Sequence, residues 1–125
     1  MSFKSDMDKA YQKKVVQNQE RVVRATSLLI FTDLTLQTPV RTGRARANWL
    51  TSLFKPRTET VDASAGIATF DISGYKLGVS IFIANNLPYI RVLNGGSSTQ
   101  APRNFVNVIV QTANIKASKV IAGIR

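Results

Sequence analysis

The 125-residue chain contains no cysteine and no histidine. The first absence excludes disulfides and thiolate zinc sites, and it leaves the redox compartment unread. The second removes both the usual neutral-pH general base and the commonest metal ligand. Acid is scarce as well, with 7 Asp and Glu against 17 Lys and Arg. All seven acids stand at or before Asp71: Asp6, Asp8, Glu20, Asp33, Glu59, Asp62 and Asp71. A hydrolytic carboxylate pair or a magnesium cluster would have to be assembled from these alone. Outside the N-terminal helical segment that leaves Asp62 and Asp71 as catalytic candidates, with Glu59 beside them. No apolar run approaches the roughly 20 residues that span a bilayer. The N-terminus lacks a charged-then-apolar leader pattern, so the expected site of synthesis and use is the cytoplasm.

What is present is positive charge and a sizeable apolar fraction. The net charge of +10 favours nucleic acid, an anionic membrane surface or an acidic protein neighbour. The hydrophobic share of 44% supports a core without metal or disulfide help, and the length fits one domain over residues 1–125.

Residues 5–37 read as one long helix, free of Gly and Pro. Val15, Val22, Leu29 and Leu36 recur every seven residues, with Val16, Val23 and Ile30 beside them, which predicts a wide apolar stripe. Ser5 is the expected N-cap, and Pro39 ends the helix by forcing the preceding residue out of helical geometry. About 33 residues at 1.5 Å each span roughly 50 Å, long for a chain of this size. Part of the stripe is then available to another subunit; an ordinary core helix with a fraying start is the alternative.

Residues 40–46 read as a loop in which Gly43 supplies a conformation that other residues resist. Residues 46–54 alternate around Trp49, which predicts a strand with Trp49 in the core. A short strand over 67–72 and a stronger one over 77–84 follow, inside a β-rich region that extends to residue 100. Residues 89–93 fit a strand or a single helical turn. Pro102 suits the first position of a C-terminal helix over 102–121, although the alternation over 106–110 also permits a strand. The expected architecture is α+β: a long N-terminal helix, a small mostly antiparallel sheet and a C-terminal helix.

Two segments hold most of the functional information. The first is Thr38-Pro39-Val40-Arg41-Thr42-Gly43-Arg44-Ala45-Arg46-Ala47-Asn48-Trp49. The second is Asn85-Asn86-Leu87-Pro88-Tyr89-Ile90, then Leu93-Asn94-Gly95-Gly96-Ser97-Ser98-Thr99-Gln100-Ala101-Pro102. Arg41, Arg44 and Arg46 fit a phosphate-contacting patch, a solvated rim or a subunit contact. Ser97 and Ser98 have no histidine or following acid to activate them, and Gly95-Gly96 lacks the Lys-Ser/Thr of a phosphate loop. The second segment offers shape, a glycine-bearing loop between Pro88 and Pro102 of the kind that docks on a neighbour.

As a pair, these segments resemble the tail-completion proteins of lambda-like tailed bacteriophages (the minor tail protein Z type) and related neck proteins. The matching positions are Pro39, Arg41, Thr42, Gly43, Arg44, Asn48 and Trp49. Further on they are Asn85, Pro88, Tyr89, Leu93, Gly95 or Gly96, Ser98, Gln100, Ala101 and Pro102. One position departs: where the family usually carries a glutamate, this chain has Asn94, so a neutral hydrogen bond would replace any ion pair made there. The resemblance implies a structural, non-enzymatic virion protein of the head–tail junction, without cofactor, metal or small-molecule substrate. It implies a homo-oligomeric ring, often a hexamer, around the channel through which DNA passes. Its partners would be other neck, connector and tail-tube proteins, with no membrane. A ring needs two different faces per subunit. The long helix and the loop from Gly95 to Pro102 are the expected faces, with Arg41, Arg44, Arg46, Tyr89, Asn94, Gly95, Gly96, Ser98, Gln100 and Pro102 at the contacts. Pro39, Gly43, Trp49 and Pro88 are expected to hold the framework. The competing reading from charge alone is a small basic nucleic-acid-binding protein.

Overall fold

The computed structural model describes residues 2–39, 43–95 and 104–124. Helix α1 runs from Phe3 to Gln37, 35 residues with no internal breaker, or about 52 Å. It starts earlier than the sequence suggests because Ser2, not Ser5, is the cap. The Ser2 hydroxyl accepts the Ser5 N–H at 3.1 Å, which frees two more residues for the helix. It stops where expected, with Thr38 extended in front of Pro39.

The buried face of α1 is not the heptad stripe. Phe31, Leu34 and Thr35 are its buried residues, whereas Leu29 and Leu36 are exposed and Val15 and Val22 only half-buried. The helix is apolar on two sides, and the tertiary fold covers the side bearing Phe31.

After Pro39 the chain forms a short helix α2, Arg44–Ala47, where the alternation predicted the beginning of a strand. Strand β1 is only Leu50–Leu53, and it pairs antiparallel with β2, Ile81–Ala84, in the register Leu50↔Ala84 to Leu53↔Ile81. No strand forms over 67–72. That segment lies beside β1 through a single bond from the Asp71 N–H to Thr51 Oγ1, and it buries Ile72 and Tyr75. Left-handed Gly74 and Gly78 break the extended backbone, so the strand expected over 77–84 keeps only its last four residues. The sheet among the described residues is therefore two-stranded rather than three- or four-stranded.

Helix α3, Ile90–Asn94, takes the helical alternative for that segment. The C-terminal helix is two pieces, α4 (Phe105–Gln111) and α5 (Ala113–Ile124), and residues 106–110 are helical. The break falls at Thr112, whose hydroxyl bonds back to the Val108 carbonyl at 2.8 Å and reaches the Ile109 carbonyl at 3.2 Å. Pro102 lies outside the described residues. Helix α5 returns along α1, where Lys116 pairs with Asp33 at 3.3 Å. The core joins Phe31 and Leu34 of α1, Phe105 and Ile109 of α4, and Trp49, with Ile83 of β2 and Phe70 packed against them. This is an α+β fold, as the sequence suggested.

Candidate functional site

The two motif segments meet. The Asn85 Nδ2 donates to the Ala45 carbonyl at 3.0 Å, tying the start of the second segment to the middle of the first. Asn85 Oδ1 in turn accepts the Leu87 N–H at 3.2 Å, which sets the turn before Pro88 and buries Leu87. Asn86 donates to the Arg57 and Glu59 carbonyls at 2.8 and 3.1 Å. Asn48 completes the joint from the other side. Its amide donates to the Arg44 and Val61 carbonyls at 2.7 and 2.8 Å, and its oxygen accepts the Val61 N–H at 2.8 Å. Asn48 and Asn86 thus hold the long irregular segment 55–62, the first against α2 and the second against the turn before Pro88, while Asn85 ties that turn to α2, all without any ladder.

The first segment is also locked to the end of α1. Thr38 is fully buried, and its hydroxyl donates to the Leu34 carbonyl while accepting the Trp49 indole N–H at 2.8 Å. Arg46 reaches back with Nε to the Thr38 carbonyl (2.7 Å) and with a terminal nitrogen to the Leu36 carbonyl (2.8 Å). These carbonyls lie at the negative end of the helix dipole, where no basic residue of the last turn is present. Arg46→Ala should therefore cost about 1.5–3 kcal/mol. Arg46→Lys should recover only part of it, since one ammonium cannot span two carbonyls as the fork does. Urea unfolding of the two variants measures both effects.

Gly43 sits at φ +77°, immediately before α2, and a Cβ there would meet nothing within 4 Å. The demand for glycine is thus one of backbone conformation and not of space. Gly43→Val should destabilise by about 1–2 kcal/mol or more in thermal unfolding.

The remaining sequence-predicted residues divide as follows. Arg44 is exposed on α2. Tyr89 is exposed just before α3, and Pro88 is exposed in the turn. Asn94 faces inward along the chain. Its Nδ2 donates to Asn107 Oδ1 at 2.7 Å, and its oxygen accepts the Val106 N–H at 2.9 Å, so it joins α3 to α4 within one molecule. Gly95 follows as the C-cap of α3, where a Cβ would crowd the Val92 and Arg91 carbonyls at 3.3 and 3.4 Å. Arg41, Gly96, Ser98, Gln100 and Pro102 lie outside the described residues.

The three carboxylates outside α1 are each engaged or isolated. Glu59 pairs with Arg57 at 2.7 Å, and that hydrogen bond holds its carboxyl below the usual range. The Ser73 hydroxyl and N–H do the same for Asp71. Asp62 is exposed at the head of the short turn Ala63–Ala65. Among the described residues no His, Cys, Asp and Glu cluster of three forms, and no helix is long and apolar enough to cross a membrane. Sequence reasoning missed the inward roles of Asn48 and Arg46. A polar residue directly preceding the core tryptophan was the available hint for the first; nothing local announces the second.

No family model, curated protein or solved structure matches this chain.

Proposed function

We propose that this protein is a structural component of a tailed-phage virion, acting at the head–tail junction in neck assembly or tail completion. In this reading it assembles as a ring of identical copies around the DNA channel and joins or caps the tail, in contact with neck, connector and tail-tube proteins. It works by shape and contact, and no substrate is transformed. The observation that carries the reading is the joint between the two motif segments, Asn85 on Ala45, which supports treating the pair as one structural unit. The long, largely exposed α1 supports it further, because a ring subunit must offer surface to neighbours.

The test is to purify tailed particles carrying the gene and examine them by electron microscopy and peptide mass spectrometry. The chain is expected in the particle at the neck, in several copies. Its absence from purified virions overturns the reading.

The net charge favours a second reading, a small basic nucleic-acid-binding protein. That reading expects duplex binding whose affinity falls steeply with added salt, as counterion release requires. Micromolar or weaker binding without sequence preference would leave only the electrostatics of a basic surface.

A further inference from the structure

Between Lys9 and Arg24 the charges of α1 are sorted onto one side. At roughly 100° per residue, Lys9, Lys13, Lys14, Glu20, Arg21 and Arg24 fall within about 140° of the helix circumference. They are all the charged residues of that stretch, and only Ala10 and Gln17 share the arc with them. The opposite arc carries Tyr11, Val15, Val16, Val22 and Val23 among uncharged amides. All five cations are exposed, whereas Glu20, the one acid on the arc, is half-buried.

The face is set before any partner arrives. The helix beneath it is unbroken, so the cations are strung at fixed backbone positions along about 22 Å of axis. At its far end the Arg24 guanidinium donates to the Tyr75 carbonyl at 2.6 Å and lies 5.4 Å from the centre of the Tyr75 ring. That end therefore points in one direction rather than sweeping through solvent.

We infer that this face lies along the phosphate backbone of duplex DNA and holds it without reading its sequence. A protein partner draws its binding energy from large apolar or aromatic anchors, and the face between residues 9 and 24 presents none. A helix lying on a bilayer needs its apolar side free to enter the lipid. Here Val15, Val22 and Val23 on that side are half-buried by the fold. Phosphate asks only for what the face has, which is positive charge at intervals along a straight rod and an amide donor in Gln17. Duplex DNA carries about one negative charge per 1.7 Å of axis, so a rod of this length meets phosphates wherever it is laid. The inference rests on the ring reading, in which DNA passes through the channel, and assigns the surface of the subunit that meets it.

Fluorescence anisotropy of a labelled duplex of arbitrary sequence, repeated over a series of salt concentrations, tests it. For wild type, log Kd is expected to rise with log salt at a slope of about 4 to 5, whatever the sequence. K13Q/K14Q/R21Q is expected to lower that slope by about 3 and to weaken binding at least about tenfold at low salt. R91Q/K55Q/K119Q removes the same charge from exposed residues off this face, and is expected to keep the slope within about 1 of wild type. K13R/K14R/R21K keeps the charge and is expected to bind like wild type. Circular dichroism verifies that helicity is unchanged, with K13Q/R21Q replacing the first variant if it is not. Equal losses from the two glutamine triples mean a diffuse field and overturn the face. So does a wild type that leaves DNA unbound at low salt, or one that prefers phosphatidylglycerol vesicles to DNA at the same salt. Those results leave the ring reading standing, because it is decided by the presence of the chain in particles. Weak, sequence-independent binding lost only with the α1 triple supports the face and removes the second reading's claim to specificity.

Discussion

Replacing Trp49 with alanine is expected to lower the unfolding free energy by about 3–5 kcal/mol, measured by urea denaturation followed by circular dichroism. The indole is 5% exposed and stands in the cluster with Phe31, Leu34, Phe105 and Ile109, so its removal empties the point where α1, α4 and the sheet meet. For a domain whose total stability is about 5–15 kcal/mol, this is a large fraction. Trp49→Phe separates packing from polarity. It keeps most of the ring volume and loses the 2.8 Å bond to Thr38, so a cost of about 1 kcal/mol is expected. A loss below about 1 kcal/mol for the alanine variant would show that the ring contributes little to the core.

Asn48→Ala is the second large effect. Asn48 is fully buried and serves three backbone groups on two different segments. Alanine strands the Val61 N–H and removes the donor from two carbonyls, at about 1–3 kcal/mol for each group left without a partner and without water. Because Val61 is only half-buried, water can recover part of this, and a net loss of about 3 kcal/mol is expected. Asn48→Asp is the sharper variant. Its carboxylate can still accept the Val61 N–H but sets negative charge against two carbonyl oxygens, so burial and those oxygens push its pKa up. Its folded pKa then lies above the unfolded value, and the charged form is the destabilising one. The defect should therefore be largest at neutral pH and shrink as pH falls through that raised pKa, where the protonated acid can donate to one carbonyl. Melting curves across acid pH check the sign; a defect that does not change with pH would mean that the carboxyl escapes to solvent.

The sequence made α1 legible almost to the residue, since a Gly- and Pro-free run closed by Pro39 leaves little choice of structure. It also gave away Gly43 and Trp49, because each is a residue type with one dominant reason for being where it is. It did not reveal which face of α1 is buried. Both the Leu29–Leu36 side and the Phe31–Leu34 side are apolar at helical spacing, and only the position of Trp49, α4 and α5 decides between them. Helix α2 was hidden for a related reason. Alternation from Ala47 through Leu53 continues a strand pattern backwards over residues that Arg46, Asn48 and Gly43 hold in a helical turn through contacts distant in sequence. The strands came out short because side-chain bonds from Asn48, Thr51, Asn85 and Asn86 replace ladders that alternation alone would extend. In the candidate site, the motif residues could be named from sequence, but their division of labour could not. Asn94 shows this best: the position expected at a contact between subunits also bonds Asn107 and the Val106 N–H within the chain, a link that nothing local in the sequence announces.

An unbroken rod anchored at one end also fixes a length and a phase. Phe3 stands 28 residues from Phe31, or about 42 Å along the axis. Whatever body Phe3 touches is held at that reach. Inserting seven residues between them would lengthen the reach by about 10 Å and leave the anchor face almost in line, whereas two residues would add only about 3 Å and turn it roughly 200° away. The spacing set by α1 can therefore be rescaled in steps near whole turns, most cleanly by heptads, while insertions of one or two residues swing the anchor face away.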